Sequence, residues 1–186
     1  MPELEANFGL HAVPLLRALP LMDEAYRERV RLLAEGYREQ AEQGRGANPF
    51  GVPITDGGWA GNGMVIGVAL NQWYLHRAFP DLFGPEPVWQ SLHYLYGTHP
   101  GSDVSFVSAV GAQSKQVAYG MNRADFSFIA GGIVPGALIL KPDFPENKED
   151  WPFLWGENEY VINLAASYLL LVHAAQSLLP AQEPGQ

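Results

Sequence analysis

The sequence predicts an all-α protein with long irregular loops, on three observations. Apolar residues recur at helical spacing in five separate segments. Strand-like runs are confined to two short stretches, Val104 to Val110 and Leu138 to Lys141. The chain has 186 residues, which is enough for one hydrophobic core and too few for two ordinary domains. We therefore expect one domain, or part of one.

The first two predicted helices are separated by Pro20, because proline ends a helix. They cover about Glu3 to Leu19 and about Met22 to Gln43. The second helix carries charges around most of its surface and apolar residues along one stripe. One face should therefore be buried and the other exposed to solvent. The stripe consists of Tyr26, Val30, Leu33 and Tyr37.

Three further helices follow a loop dense in Gly and Pro. Asn62 is a suitable N-cap for the third, which should end at Pro80, and the fourth runs from about Glu86 to Leu95 or Tyr96. The last covers about Glu157 to Leu179, ahead of a Pro- and Gln-rich tail at 180–186 that should be flexible. Between the fourth and last helices lies a Gly-rich, irregular stretch. A loop of that length in a compact domain indicates a functional region.

Composition excludes several classes of function. Lys and Arg total 11 against 20 Asp and Glu, a net charge of −9 that would repel a nucleic-acid backbone. The absence of cysteine excludes thiolate zinc sites, disulfides and a cysteine nucleophile. The 5 histidines share no ligand spacing, so we expect no metal and no other cofactor. Signatures of acyl, phosphoryl and hydride transfer are missing as well.

Neither a secretory leader nor a membrane span is expected. The N-terminus has no basic start and no continuous apolar run. The most apolar stretch, Tyr160 to Ala175, is interrupted by polar residues and is shorter than the roughly 20 residues that span a bilayer. The chain should be soluble, and its composition leaves the compartment open.

Five short motifs occur in a fixed order along the chain. They are Asn48-Pro49-Phe50-Gly51, Trp59-Ala60-Gly61-Asn62, Tyr94-Leu95-Tyr96-Gly97-Thr98-His99-Pro100, Ser105-Phe106-Val107 with Gly111, and Asn158-Glu159-Tyr160-Val161. In this order they resemble the C-terminal part of glycoside hydrolase family 9, over about Asn48 to Ala175. Asn122-Arg123-Ala124-Asp125, and the stretch from Pro142 to Trp155, are most similar to the bacterial branch that carries an immunoglobulin-like domain ahead of the barrel.

The resemblance implies an (α/α)6 barrel that hydrolyses β-linked glucans or related sugars with inversion, and Glu159 matches the general acid. The family's catalytic base lies in an Asp-x-x-Asp motif upstream of the matched region. Here the two nearest aspartates, Asp143 and Asp150, are seven positions apart. We interpret residues 1–179 as the C-terminal half of the barrel. Because inverting hydrolysis needs two carboxyl groups, the chain alone should have negligible activity.

Glu159 also has an alternative interpretation that needs no catalysis. Glu157 and Glu159 would lie in the first turn of the last helix, where acids stabilise a helix start. The helix dipole favours the anion there, whereas a general acid must keep its proton near the working pH. A catalytic role would therefore require an apolar wall, which Phe153, Trp155 and Tyr160 are placed to supply.

Other residues are candidates for binding sugar. Arg123 aligns with the arginine of the family's His-x-Arg pattern, although Met121 replaces the histidine, and its planar fork of donors suits sugar hydroxyls. A salt bridge with Asp125 or Asp103 is the alternative. Aromatic residues in loops could stack on the faces of sugar rings or cover the hydrophobic core. We predict that three of them form sugar-binding subsites: Trp59, Tyr119 and Trp155. Trp73 and Trp89, at helical spacing, are predicted to be core residues.

Two classes of function follow from these residues. The first is half of a glycosidase that acts on an oligosaccharide or β-glucan. The second is a non-catalytic α-helical module that binds carbohydrate or another protein. Either would expose an apolar edge, so we expect association with the missing N-terminal half of the barrel or self-association.

Overall fold

The computed structural model describes residues 7–53, 61–98, 103–115, 118–119, 126–136 and 158–180. These residues are mostly helical, as the sequence predicts. The helices are α1 (Phe8–Ala18), α2 (Glu24–Gly46), α3 (Gly61–Ala78), α4 (Glu86–Leu95) and α5 (Ile162–Gln176). Two pairs of short strands complete the described elements: parallel β1 (Val104–Ser105) with β2 (Gln113–Ser114), and antiparallel β3 (Ala118–Tyr119) with β4 (Phe126–Ser127).

Helices α1 and α2 form a hairpin joined by a 3₁₀ turn at Leu19–Leu21. Asp23 caps α2 by accepting a hydrogen bond from the backbone N–H of Tyr26 at 2.8 Å. The predicted break at Pro20 is confirmed, and α2 continues three residues beyond the predicted end at Gln43. The predicted start of the first helix at Glu3 lies outside the described residues.

The hairpin buries a cluster of apolar side chains that we call the hairpin core. Its members are Phe8, Ala12, Leu16, Val30, Ala34, Leu75, Phe79 and Phe83. The stripe predicted for α2 is confirmed, because Val30 is buried and the other three residues pack against the cluster. Two arginines of α2 lie over the Phe79 ring, with Arg27 Cζ 5.5 Å and Arg31 Cζ 5.6 Å from its centroid.

Helix α3 occupies the centre of the fold and packs against α1, α4 and α5. It contributes Leu75 to the hairpin core and Trp73 to a second, larger core shared with α4 and α5. The indole N–H of Trp73 donates to Ser177 Oγ at 3.0 Å, just beyond the end of α5. Trp73 is therefore a core residue as predicted, and Trp89 packs half-buried against the same core.

The starts of two helices differ from the prediction. Asn62 is the second residue of α3 and does not cap it, because its side-chain amide donates to Val134 O at 2.7 Å. The last helix begins at Ile162 rather than Glu157, after an extended residue at Val161. Glu159 therefore lies outside the helix, and the first-turn position predicted for it is wrong.

Candidate functional site

The described residues between 103 and 136 meet the start of α3, the end of α4 and the residues just ahead of α5, and we call this part of the molecule the loop end. Its backbone bonds to the start of α3, where Gly61 N donates to Gly136 O at 3.1 Å. It also bonds to the end of α4, where Phe106 N donates to Leu95 O at 2.9 Å. Glu159 lies at the same place, immediately ahead of α5.

Motifs that are far apart in the sequence contact one another here. The ring of Phe50 lies 6.3 Å from that of Tyr94, and the Tyr94 ring stacks on Phe106 at 5.7 Å between centroids. A Cβ added to Gly136 would fall 2.9 Å from both Asn62 Nδ2 and Phe106 Cε1. Gly136 adopts a φ of 63°, in the region that favours glycine. The close approach of these residues fixes the loop against the helices.

Tyr160 joins the segment around Glu159 to the loop through a hydrogen-bond network. Its hydroxyl lies 2.7 Å from Ser108 Oγ and accepts from Ile129 N at 3.2 Å. Ser108 Oγ donates to Lys115 O at 2.9 Å. Since Ser108 has a single hydroxyl proton, the Tyr160 hydroxyl donates to Ser108. These bonds hold Tyr160 against the loop and explain why α5 starts only at Ile162.

Glu159 lies between two buried residues, Asn158 and Tyr160, and is itself half-buried. The neighbours on both sides are therefore held in the fold, while Glu159 keeps part of its surface exposed. A carboxyl group held in this way can meet a ligand without first reorganising the chain.

The loop end buries several polar side chains. Lys115 is only 1% exposed, and an ammonium group is costly to bury unless it is paired. The others are Asn62, Ser105, Ser108, Ser114 and Asn158. Sequence reasoning missed Ser108 and Lys115, because a serine and a lysine in a Gly-rich stretch usually face solvent. Their burial depends on packing within the loop and, for Ser108, on the contact with Tyr160, which lies 52 positions away.

Among the predicted site residues, the described side chains include only Glu159. Trp59, Arg123 and Trp155 lie outside the described residues. Tyr119 belongs to β3, where it pairs with Phe126, and its side chain also lies outside the description. Asp103, proposed as an alternative partner of Arg123, is exposed and accepts a hydrogen bond from Gln113 Nε2 at 3.2 Å.

Metal binding and membrane insertion gain no support in the described ranges. No group of three or more His, Asp or Glu residues could hold a metal ion there. None of the helices within those ranges is both long enough and apolar enough to cross a bilayer.

Comparison of the sequence with models of protein families and with curated proteins gives no match.

Proposed function

We propose that this chain is the C-terminal half of an inverting glycoside hydrolase of the family 9 type, with Glu159 as its general acid. The observation that carries the proposal is the position of Glu159. Glu159 is half-buried and lies three residues ahead of Ile162, between two buried neighbours. A residue that only stabilised the helix start would lie in the first turn, where the dipole acts.

The arrangement of the motifs supports the same proposal. Four of the five motifs have described residues at the loop end, and the first reaches them through the ring contact between Phe50 and Tyr94. Helices packed around a central α3 are compatible with half of an (α/α)6 barrel. Arg123, Trp59, Tyr119 and Trp155 complete the proposed sugar-binding surface.

The chemistry requires a second carboxylate. Glu159 would protonate the glycosidic oxygen as the bond from that oxygen to the anomeric carbon breaks. A water molecule would attack the anomeric carbon from the opposite face, activated by a carboxylate about 6.5–9.5 Å from the acid. We assign that base to a segment with an Asp-x-x-Asp pair, which is not found in this sequence.

The outer face of α5 supports an association with such a segment. Ile162 is 68% exposed and Leu169 58%, and both lie on one helical face with Leu170. Exposed apolar side chains grouped in this way are typical of interaction surfaces. We propose that this face packs against the missing half of the barrel. The same face favours the second candidate function, a non-catalytic interaction module.

Titration with cellotetraose, followed by two-dimensional amide NMR and product analysis, tests the proposal. We expect saturable shifts at Glu159, Tyr160 and Ser108, and no hydrolysis by the chain alone. Glu159→Gln should retain the shifts, because the substitution preserves the shape of the side chain and removes only its acidity. An absence of shifts at these residues would contradict sugar binding at the loop end.

Product formation by the chain alone would contradict the division of the two carboxyl groups between segments. If that activity disappeared in Glu159→Gln, the assignment of Glu159 as the general acid would be correct, and the assignment of the base to another segment would be wrong. Shifts confined to the outer face of α5 would favour the interaction module instead.

A further inference from the structure

An open cleft lies where α1 and α3 end and α2 begins. Three arginines line it: Arg17 from the last turn of α1, Arg27 from near the start of α2 and Arg77 from the last turn of α3. We call it the arginine cleft. Its volume is about 290 Å³, which is close to the lower limit of the roughly 300–1,000 Å³ that is usual for small-molecule sites.

The arginine cleft concentrates positive charge in an acidic protein. The chain has 11 Lys and Arg residues against 20 Asp and Glu. Three of those 11 line this one cleft, and no Asp or Glu residue lines it among the described residues. A cleft lined by charges of one sign raises the local concentration of ligands of the opposite sign. The lining therefore favours an anion.

The three arginines of the cleft lack carboxylate partners, unlike two other arginines of α2. Arg31 forms salt bridges with Glu35 and Asp81. Arg38 forms one with Glu42. Within the part of the chain that the structure describes, no such bridge involves an arginine of the cleft. The positive charge of the cleft is therefore available to a ligand.

Two of the three guanidinium groups are held by contacts with the protein. Arg27 Nη2 donates to Ala78 O at 3.2 Å, and Ala78 itself lines the cleft. Arg77 Cζ lies 5.0 Å from the centroid of the Trp73 ring. A guanidinium has five N–H donors, so these contacts leave most of them unused. Donors that are already held in position bind a ligand at a lower entropic cost.

The helix dipoles account for only part of this arrangement. Arg17 and Arg77 lie in the last turns of their helices, where the dipole favours a cation. Arg27 lies near the start of α2, where the dipole disfavours one. Dipole stabilisation therefore does not explain the third arginine, whereas an anion in the cleft would interact favourably with all three.

We propose that the arginine cleft binds a phosphate monoester of a small organic molecule. The planar fork of a guanidinium matches the oxygen atoms of a phosphate. A phosphate monoester carries about 1.5–2 negative charges at neutral pH, which suits a cleft with three cations better than a single carboxylate does. Leu19 and Pro20 supply apolar surface for the organic part of the ligand. The site uses no residue of the loop end, so it does not depend on the proposed role of Glu159.

Titration with phenyl phosphate tests the proposal, with the NMR signals of the arginine Nε–H groups as the readout. In the unmodified chain we expect saturable shifts at Arg17, Arg27 and Arg77. Arg17→Gln should weaken the binding by about tenfold, the equivalent of one hydrogen bond between charged groups. This variant should fold normally, because the Arg17 side chain forms no salt bridge with the described residues. Its circular dichroism spectrum checks the fold.

Arg38→Gln is the matched control, because it removes the same charge from a residue that does not line the cleft and pairs with Glu42 instead. It should leave the affinity unchanged. Benzoate, with a single negative charge on the same ring, should bind about tenfold more weakly than phenyl phosphate. Absence of saturable shifts, equal weakening in Arg17→Gln and Arg38→Gln, or equal affinity for benzoate would overturn the proposal. Binding to vesicles that contain phosphatidic acid, lost in Arg17→Gln and without any shifts from phenyl phosphate, would assign the phosphate to a lipid and overturn it as well.

Discussion

The α1–α2 hairpin and the loop end bury different kinds of side chain. Within the hairpin every buried side chain that the structure describes between Phe8 and Gly46 is apolar, and the charged residues there are exposed or half-buried. The loop end buries a lysine, serines and asparagines, and joins Ser108 to Tyr160 by hydrogen bonds. A buried polar group stabilises the fold only when its hydrogen-bond partner is in place. Arrangements of the chain that lack the partner are disfavoured, so such groups specify a single arrangement. The hairpin is thus held together by apolar packing, and the loop end by polar contacts between specific partners.

The largest effect is expected in the hairpin core. Phe79 is almost fully buried between α2 and α3, so Phe79→Ala should lower the free energy of unfolding by about 3–5 kcal/mol. Urea denaturation followed by circular dichroism measures this loss. Under conditions where the variant stays folded, the NMR shifts caused by cellotetraose at Glu159 should persist. Their disappearance would mean that the two regions are not independent.

A smaller effect should follow from removing one hydroxyl group at the loop end. Tyr160→Phe leaves Ile129 N–H without its acceptor and Ser108 without a donor, at a cost of about 1–3 kcal/mol. Tyr26→Phe is the matched control in the hairpin, where the hydroxyl donates only to Leu15 O at 3.2 Å. Its cost should be smaller, about 0.5–1.5 kcal/mol. Equal losses of stability in the two variants would contradict the claim that the loop end depends more on its polar contacts than the hairpin does.

The stability conferred by the larger core, which α3 shares with α4 and α5, should depend on pH in the alkaline range. Burial raises the pKa of Tyr168 above its ordinary value, and the hydroxyl of Tyr96 lies 2.9 Å away. A raised pKa in the folded state means that stability is complete below the unfolded pKa of about 10 and falls as the pH rises above it. Tyr168→Phe should reduce this fall. Denaturation curves at pH 8 to 11 measure it, and an unchanged pH dependence in the variant would contradict the role of Tyr168.

The smallest effect is expected at the surface of the hairpin. Arg31 on α2 donates to Asp81, which lowers the pKa of that carboxyl group. The pair should stabilise the fold at neutral pH, and its contribution should disappear as the pH falls through the lowered pKa. Asp81→Asn should therefore shift the thermal midpoint slightly at pH 7 and not at strongly acidic pH. A shift that persists in acid would exclude the ion pair as its cause.

The helices were largely predictable because their signals are local. The apolar stripe of α2, the limits of α4 and the burial of Trp73 follow from spacing and from the breaks at proline. The start of α5 was not predictable, because Tyr160 is held by Ser108, which lies 52 positions away in the sequence. Asn62 failed as a predicted cap for the same reason, since its amide bonds to Val134.

The candidate site was predictable only in part. Glu159 was proposed by resemblance to a family motif and its catalytic role stays a prediction, whereas the burial of Lys115 had no signal in the sequence. Local patterns therefore identify the scaffold, and long-range contacts identify the polar groups that distinguish the two ends.

The central claim, that Glu159 delivers a proton while the base lies on another segment, is tested most directly by supplying a nucleophile from solution. With phenyl β-cellobioside and a high concentration of azide, azide would attack the anomeric carbon and Glu159 would protonate the departing phenol oxygen. We predict an azide-dependent release of phenol that yields the α-glycosyl azide and is lost in Glu159→Gln. Equal release by the unmodified chain and Glu159→Gln, or no release at any azide concentration at which the sugar is bound, would contradict the claim.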